Sequence, residues 1–106
     1  MKQILIVETR DPMESRDTEW LAGLAAGFER GKARVMLADN GVFAARGGAA
    51  AATLETLTTA GVEVFADRFA LRERGIRDAD LAKGVRAAEI EFVLDQLEAG
   101  SAVIWR

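Results

Sequence analysis

Four short and largely apolar runs, separated by stretches with helical patterning, constrain the fold of this 106-residue chain more than any other feature. They lie at residues 4–7, 34–38, 62–66 and 102–105. Consecutive apolar residues are typical of a strand that is covered on both faces, as in parallel sheets. Strands that alternate with helices favour right-handed crossovers between parallel neighbours. We therefore predict an α/β fold, a three-layer α/β/α sandwich with a mainly parallel sheet of four to five strands.

Two helices are predicted on either side of the second apolar run. In residues 11–31, Leu21, Leu24 and Phe28 recur at helical spacing and form one apolar stripe. Residues 49–60 are rich in alanine, which favours helix and lets a helix pack close to a sheet. Both helices are expected to lie against the predicted sheet.

The region after the third apolar run is less regular. Residues 67–75 predict a short helical turn with Phe69 and Leu71 as its apolar anchors. Residues 76–85 are predicted to be irregular, with a turn of helix around Leu81. Residues 87–98 predict the last helix, whose apolar stripe consists of Ile90, Val93, Leu94 and Leu97.

The composition excludes several classes of site and partner. The chain has no Cys and no His, so we expect no disulfide framework, structural zinc site, thiol nucleophile or Ser-His relay. A formal net charge of −3 and scattered basic residues give no basic stripe for nucleic acid. The aliphatic run at residues 4–7 is too short for a signal-peptide core or a membrane span, so we expect a cytoplasmic protein without a membrane partner. The length suits one domain over residues 1–106.

Acidic residues stand at the carboxyl ends of the first three predicted strands, where open α/β sheets bind their ligands. They are Glu8, Asp39 with its neighbour Asn40, and Asp67. Because Mg²⁺ prefers carboxylate oxygens, one hypothesis is a site for a hard cation. In the simpler interpretation, which we favour, Asp39 builds a turn, Asp67 caps a helix and Glu8 pairs with Arg10.

Basic residues form a second candidate set near the same strand ends. Arg46, Arg68 and Arg72 would bind an anion or a partner's carboxylates if they converged there. The alternative, which we favour, is a solvated helix face beside Glu73. The segment Asn40-Gly41 is expected to form a turn rather than a phosphate cradle. No catalytic residue, metal ligand or cofactor is assigned, and the candidate ligand-binding cluster comprises Glu8, Arg10, Asp39, Asn40, Gly41, Asp67, Arg68 and Arg72.

Three segments together resemble a known family. They are DNGVFAAR at residues 39–46, GVEVFAD at residues 61–67 followed by LRERGI at residues 71–76, and the closing strand AVIW at residues 102–105. In this order and spacing they resemble the DsrE/DsrF/DsrH-like family, the TusBCD sulfur-relay group. The resemblance covers most of the chain after residue 34.

The resemblance implies a mainly parallel α/β fold that assembles into homo-oligomers, as trimers or hexamers, or into hetero-oligomers with DsrE-like subunits. The family's carriers hold a persulfide on a Cys whose position falls at or next to Asp67. Asp67 cannot carry sulfur, because persulfide chemistry needs a thiolate. We therefore expect a non-catalytic DsrE-like domain that acts as an oligomeric or partner-binding subunit, linked to sulfur-relay complexes. The alternative is a small-ligand or metal-binding domain, or an enzyme, that uses Glu8, Asp39 and Asp67.

Overall fold

The computed structural model describes residues 3–11 and 32–106, and a five-stranded sheet lies at its centre. All four neighbouring pairs of strands are parallel, and the order across the sheet is β4-β3-β2-β1-β5. The prediction of a three-layer α/β fold with a mainly parallel sheet is confirmed. The strands are β1 (Ile4–Glu8), β2 (Ala33–Leu37), β3 (Glu63–Asp67), β4 (Val85–Ala88) and β5 (Ala102–Trp105).

From β1 to β4, each successive strand lies next to the preceding one on the same side of the sheet. After β4, the chain returns and places β5 on the other side of β1. Ile6 of β1 is level with Val35 of β2 and with Ile104 of β5. The carboxyl ends of β1 and β5 therefore lie side by side, whereas those of β2 and β3 lie together further along the same edge of the sheet.

The helices connect these strands and differ in length and type. None of those in the described part of the chain combines the length and the hydropathy that crossing a bilayer requires. The second predicted helix and the short helical turn are confirmed, whereas the helix predicted in residues 11–31 lies outside the described residues. The α-helices are α1 (Ala51–Thr59), α2 (Arg68–Glu73) and α3 (Glu91–Glu98), and the 3-10 helices are Asp39–Arg46, Gly48–Ala50 and Asp78–Asp80.

Strand β4 corrects the prediction for residues 76–98. The sequence predicted an irregular segment and then a helix from residue 87, but Ala87 and Ala88 belong to β4 and pair with Ala66 and Asp67 of β3. Alanine has high helix propensity, so this edge strand carries no local strand signal. Pairing with β3 overrides the propensity, and the helix starts later, at Glu91.

The first face of the sheet is the one that packs against α1, α2 and the 39–46 helix. Ile6, Val35 and Val64 of neighbouring strands point to this face. They pack in one cluster with Leu57 of α1 and Leu71 of α2, all of them buried. The prediction of Leu71 as an anchor of the short helix is confirmed.

The second face of the sheet packs against α3. Leu5, Val7, Met36 and Phe65 form the buried strand side of this cluster, and Val93 is its buried residue on α3. The rest of the predicted apolar stripe is not buried. Ile90 is 43%, Leu94 58% and Leu97 50% exposed, so Val93 is the one residue of the predicted stripe that is buried.

Candidate functional site

A cleft opens at the carboxyl ends of β2 and β3, where the strand-end rule places ligands. Its volume is about 760 Å³. One wall comes from the start of the 39–46 helix and the other from Asp67 and α2. We call it the β2–β3 cleft, and its lining residues are Asp39, Asn40, Phe43, Asp67, Phe69, Ala70, Glu73 and Arg74.

Asp67 lies where β3 passes into α2 and is 8% exposed. Its Oδ2 atom accepts a hydrogen bond from the backbone N–H of Ala70 at 3.2 Å, which confirms its interpretation as a helix cap. Its Oδ1 atom is buried and has no hydrogen-bond partner among the described residues. A buried acceptor without a donor costs about 1–3 kcal/mol, and more when the group is charged. The cap therefore uses one carboxylate oxygen and leaves the other buried without a hydrogen-bond partner among the described residues.

Arg74 ties the two walls of the cleft together. Its Nη2 atom donates to Oδ1 of Asp39 at 2.7 Å and to Oδ1 of Asn40 at 2.8 Å. Its Nε atom also donates to Asn40, and its Nη1 atom donates to the carbonyl oxygen of Ala70 at 3.2 Å. Most of the donors of this guanidinium are committed within the protein. The candidate cluster predicted from the sequence did not include Arg74, although this residue belongs to the LRERGI segment.

Phe69 and Phe43 supply the aromatic surface of the cleft. Phe69 is 67% exposed, so its predicted role as a core anchor was wrong: at this position on α2 its ring faces outward. The Phe43 ring is contacted by two guanidinium groups, that of Arg46 at 5.1 Å and that of Arg74 at 5.7 Å from the ring centroid. Cations within about 6 Å of an aromatic face are attracted by the ring quadrupole.

Gly41 has a structural role next to the cleft. A Cβ atom at this position would lie 2.1 Å from the backbone oxygen of Glu8, which is far inside van der Waals contact. A residue without a side chain lets the 39–46 helix approach the end of β1. Asp39 begins this helix with a φ of 49°, in the left-handed region that Asp and Asn adopt more readily than most residues. The turn predicted at residues 39–41 is thus the start of a 3-10 helix.

Glu8 lies apart from the cleft, at the end of β1 beside β5. It is 2% exposed, and its Oε1 atom accepts a hydrogen bond from the backbone N–H of Arg10 at 3.2 Å. Its Oε2 atom lies 3.9 Å from Nη1 of Arg106. The predicted pairing with Arg10 exists, but through the backbone. Within residues 3–11 and 32–106 there is no group of three His, Cys, Asp or Glu residues that could hold a metal ion.

The arginines of the anion-binding hypothesis, which was not the favoured interpretation, do not converge on the strand ends. Arg46 stacks on Phe43, whereas Arg68 bonds Glu89 at 2.9 Å and lies 3.6 Å from Asp78. Arg68 and Arg72 line a different cleft, of about 370 Å³. The structure therefore brings Asp39, Asn40 and Asp67 together and leaves the rest of the predicted cluster outside, namely Glu8, Arg10, Gly41, Arg68 and Arg72.

Comparison with solved structures identifies the fold. The chain is similar over its whole length to the ychN protein from E. coli, with a TM-score of 0.85 and 21% identity, covering 100% of both chains. It is also similar to MTH1491, a protein of unknown function from Methanobacterium thermoautotrophicum, with a TM-score of 0.80 and 23% identity over 99% of this chain and 98% of that one. For BT1422, a conserved protein of unknown function from Bacteroides thetaiotaomicron, the TM-score is 0.77 at 11% identity over 99% of this chain and 95% of that one.

These likenesses establish a DsrE-like fold, as the three sequence segments predicted. At 11–23% identity they show the fold alone. No protein-family model and no curated protein matches the chain.

Proposed function

We propose that this chain is a non-catalytic DsrE-like subunit that works by association, and that copies of the chain meet through the second face. The observation that carries this proposal is the exposed apolar stripe on α3. Ile90, Leu94 and Leu97 are spaced along one flank of the helix and are 43–58% exposed. Large apolar side chains left in water along one flank of a surface helix are a mark of a protein interface.

Strand β5 extends the stripe at the edge of the sheet. Trp105 is level with Val7, which points to the second face, and neighbours in register on parallel strands share a face. Trp105 is 59% exposed and therefore adds an aromatic ring beside α3. Aromatic residues are enriched in interfaces, and the interfaces of homodimers are more apolar than the rest of the surface. We call Ile90, Leu94, Leu97 and Trp105 the α3–β5 patch.

The chemistry of the chain supports a role without catalysis. A persulfide carrier needs a thiolate, and the 106 residues include no Cys. At or next to the position where the resemblance expects that thiol, Asp67 caps α2. A carboxylate in this place contributes to the helix start and cannot accept sulfur. Association with copies of this chain or with DsrE-like subunits of a sulfur-relay complex remains open to the protein.

Light scattering coupled to size-exclusion chromatography tests the proposal. A single chain weighs 11.4 kDa, so a trimer or a hexamer is readily distinguished from a monomer. We expect the wild type to be oligomeric at about 100 μM, and Leu94→Glu to dissociate it because a carboxylate would lose its hydration in the contact.

Phe69→Glu is the matched control for this experiment. Phe69 is also a large exposed apolar side chain, but it lies in the β2–β3 cleft rather than on the second face. This variant should keep the mass of the wild type. A monomeric wild type would refute self-association, and equal disruption by both variants would refute the α3–β5 patch as the contact.

Native mass spectrometry of the protein purified from its own host distinguishes a homomeric assembly from a complex with other subunits. If the assembly is homomeric, its mass is a multiple of that of this chain. A mixed complex with DsrE-like subunits would instead give further masses and would support the sulfur-relay link. A lone chain at near-physiological concentration would contradict both forms of the proposal.

A further inference from the structure

Asn40 is the only asparagine of the 106-residue chain, and it is followed directly by Gly41. Asparagine is a chemically labile residue, and it is most labile before glycine, because a residue without a side chain lets its backbone nitrogen reach the asparagine amide. The proposed association does not involve this pair. Its chemistry is therefore a separate property of the molecule.

Deamidation begins at the backbone nitrogen of Gly41. This nitrogen loses its proton to a solvent base and forms a bond to Cγ of Asn40, and the bond between Cγ and the side-chain nitrogen breaks with release of ammonia. The product is a cyclic succinimide. Water then opens the ring at either carbonyl carbon, which gives aspartate or, with an extra carbon in the backbone, isoaspartate.

The fold holds the attacking nitrogen away from this reaction. The N–H of Gly41 donates to the carbonyl oxygen of Ala38 at 2.8 Å, which fixes both its proton and its position. Gly41 is buried against the end of β1, where a Cβ atom would lie 2.1 Å from the backbone oxygen of Glu8. Ring closure needs the backbone between Asn40 and Gly41 to rotate, and this close packing opposes the rotation.

Arg74 holds the second reacting group, the side-chain amide of Asn40. Its Nε and Nη2 atoms donate to Oδ1 of Asn40 at 3.1 and 2.8 Å. Asp39 and the carbonyl oxygen of Ala70 fix the guanidinium in turn. A cation beside an amide oxygen favours attack on the amide carbon only where the nucleophile can reach that carbon. Because the attacking nitrogen is held elsewhere, the contact with Arg74 protects the amide.

We propose that Asn40 is a modification site at the wall of the β2–β3 cleft, and that Arg74 controls its conversion to aspartate and isoaspartate. The reaction proceeds from a locally opened form in which the contacts of Asn40 and Gly41 are broken, so its rate follows the population of that form. Aspartate at this position adds a negative charge to the cleft. Isoaspartate lengthens the backbone where Gly41 contacts Glu8 and displaces the start of the 39–46 helix.

Peptide mapping by mass spectrometry tests the proposal on the full chain. Trypsin cleaves after Arg34 and Arg46 and releases residues 35–46, in which Asn40 carries the only side-chain amide. The exchange of its NH2 group for OH is measured from the mass of this peptide after incubation of the folded protein near pH 7. A synthetic peptide of the same sequence gives the rate without the fold.

We expect the wild type to react about 10-fold or more slowly than the free peptide, because opening breaks a backbone hydrogen bond and two bonds from a charged donor. Arg74→Gln should raise the rate in the folded chain about 5-fold or more. Arg74→Lys keeps the charge but not the fork of donors, and it should react at a rate between the two. Arg72→Gln, at an exposed position on α2, is the matched control and should react as the wild type does.

Leu57→Ala distinguishes local opening from a general loss of stability. This variant removes a buried side chain of α1, so its rate should stay within about 2-fold of the wild type if the contacts of Asn40 control the reaction. A wild type as fast as the free peptide, an Arg74→Gln variant that is unchanged or slower, or equal acceleration by Leu57→Ala would overturn the proposal. If circular dichroism shows that Arg74→Gln does not fold, the rates of the wild type, the free peptide and Arg74→Lys still decide.

Discussion

The two faces of the sheet are formed by the same strands, but the described helices cover them to different extents. On the first face, α1, α2 and the 39–46 helix bury Leu54, Leu57 and Leu71 to 4% exposure or less. On the second face, α3 buries Val93 and leaves Leu94 and Leu97 at least half exposed. The strands contribute to this difference too, because on the second face they carry the charged side chains of Arg34, Glu63 and Arg86 besides apolar ones. The described helices bury their leucines on the first face, whereas on the second face α3 keeps two of its leucines largely exposed.

A polar network accompanies α3 on the second face. Arg34 donates to Glu63 at 2.9 Å and to Gln96 of α3 at 3.0 Å, and it also contacts Gln3. Arg86 pairs with the same Glu63 from the neighbouring strand β4. The side chain of Glu63 is 40% exposed, so water and salt reach this network. The second face therefore combines a small apolar cluster with ion pairs, unlike the apolar cluster of the first face.

The largest predicted difference between the faces comes from truncating one leucine on each. Leu57 on α1 is 3% exposed, and Leu57→Ala should lower the free energy of unfolding by about 2–5 kcal/mol, through lost burial and a cavity. Leu94 on α3 is 58% exposed, and Leu94→Ala should change the free energy of unfolding of the dissociated chain by about 0.5 kcal/mol or less.

Urea unfolding at low protein concentration measures both variants, because association would add a concentration-dependent term. Similar losses from the two substitutions would show that α3 is buried as deeply as α1, and the contrast between the faces would fail. A large loss from Leu94→Ala alone would reverse it.

A smaller effect is predicted for the ion pairs of the second face. The hydrogen bond from Arg34, with the charges of Arg34 and Arg86, lowers the pKa of Glu63 below its ordinary value of 4.5, although burial opposes this. A carboxyl whose pKa is lowered by folding contributes stability above its unfolded pKa and loses it as the pH falls through the folded pKa. Glu63→Gln should thus cost about 0.2–1 kcal/mol at pH 7, because the group is partly exposed.

The pH dependence of this cost is the sharper observation. The difference in the free energy of unfolding between wild type and Glu63→Gln should shrink as the pH falls below 4.5 and through the lower pKa of Glu63 in the folded protein. Glu55→Gln, at an exposed position on α1, serves as the matched variant and should show no comparable cost at pH 7. A cost for Glu63→Gln that is independent of pH would mean that the substitution acts through packing rather than charge.

The sequence predicted the strands that carry continuous apolar runs and missed the one that does not. In β1, β2, β3 and β5, apolar residues follow one another along the chain. This pattern can be recognised within a short window of sequence. Val85 to Ala88 form β4 because β3 offers them a hydrogen-bonding edge, a non-local cause that no window of sequence contains. The exposure of Leu94 could not be predicted for the same reason. Helical spacing identifies an apolar stripe, but it does not show how much of the stripe the sheet covers.

The candidate site was also predicted only in part, because some of its contacts depend on the three-dimensional arrangement of the strands and helices. The strand-end rule brought Asp39, Asn40 and Asp67 together, because β2 and β3 are neighbours. Glu8 falls outside because β2 separates β1 from β3, and its carboxylate lies near Arg106 instead. Arg74 was missed because its long side chain reaches back to Asp39 from beyond the end of α2.

The central claim, that copies of this chain meet through the α3–β5 patch, is tested most directly by thiol protection. The natural chain has no Cys, so Leu97→Cys and Phe69→Cys each carry a single exposed reporter, one in the patch and one in the β2–β3 cleft. We predict that the reaction of Cys at position 97 with a bulky maleimide slows as the protein concentration rises, while that at position 69 stays constant. Assembly without protection at position 97, or protection at position 69 instead, would contradict the account.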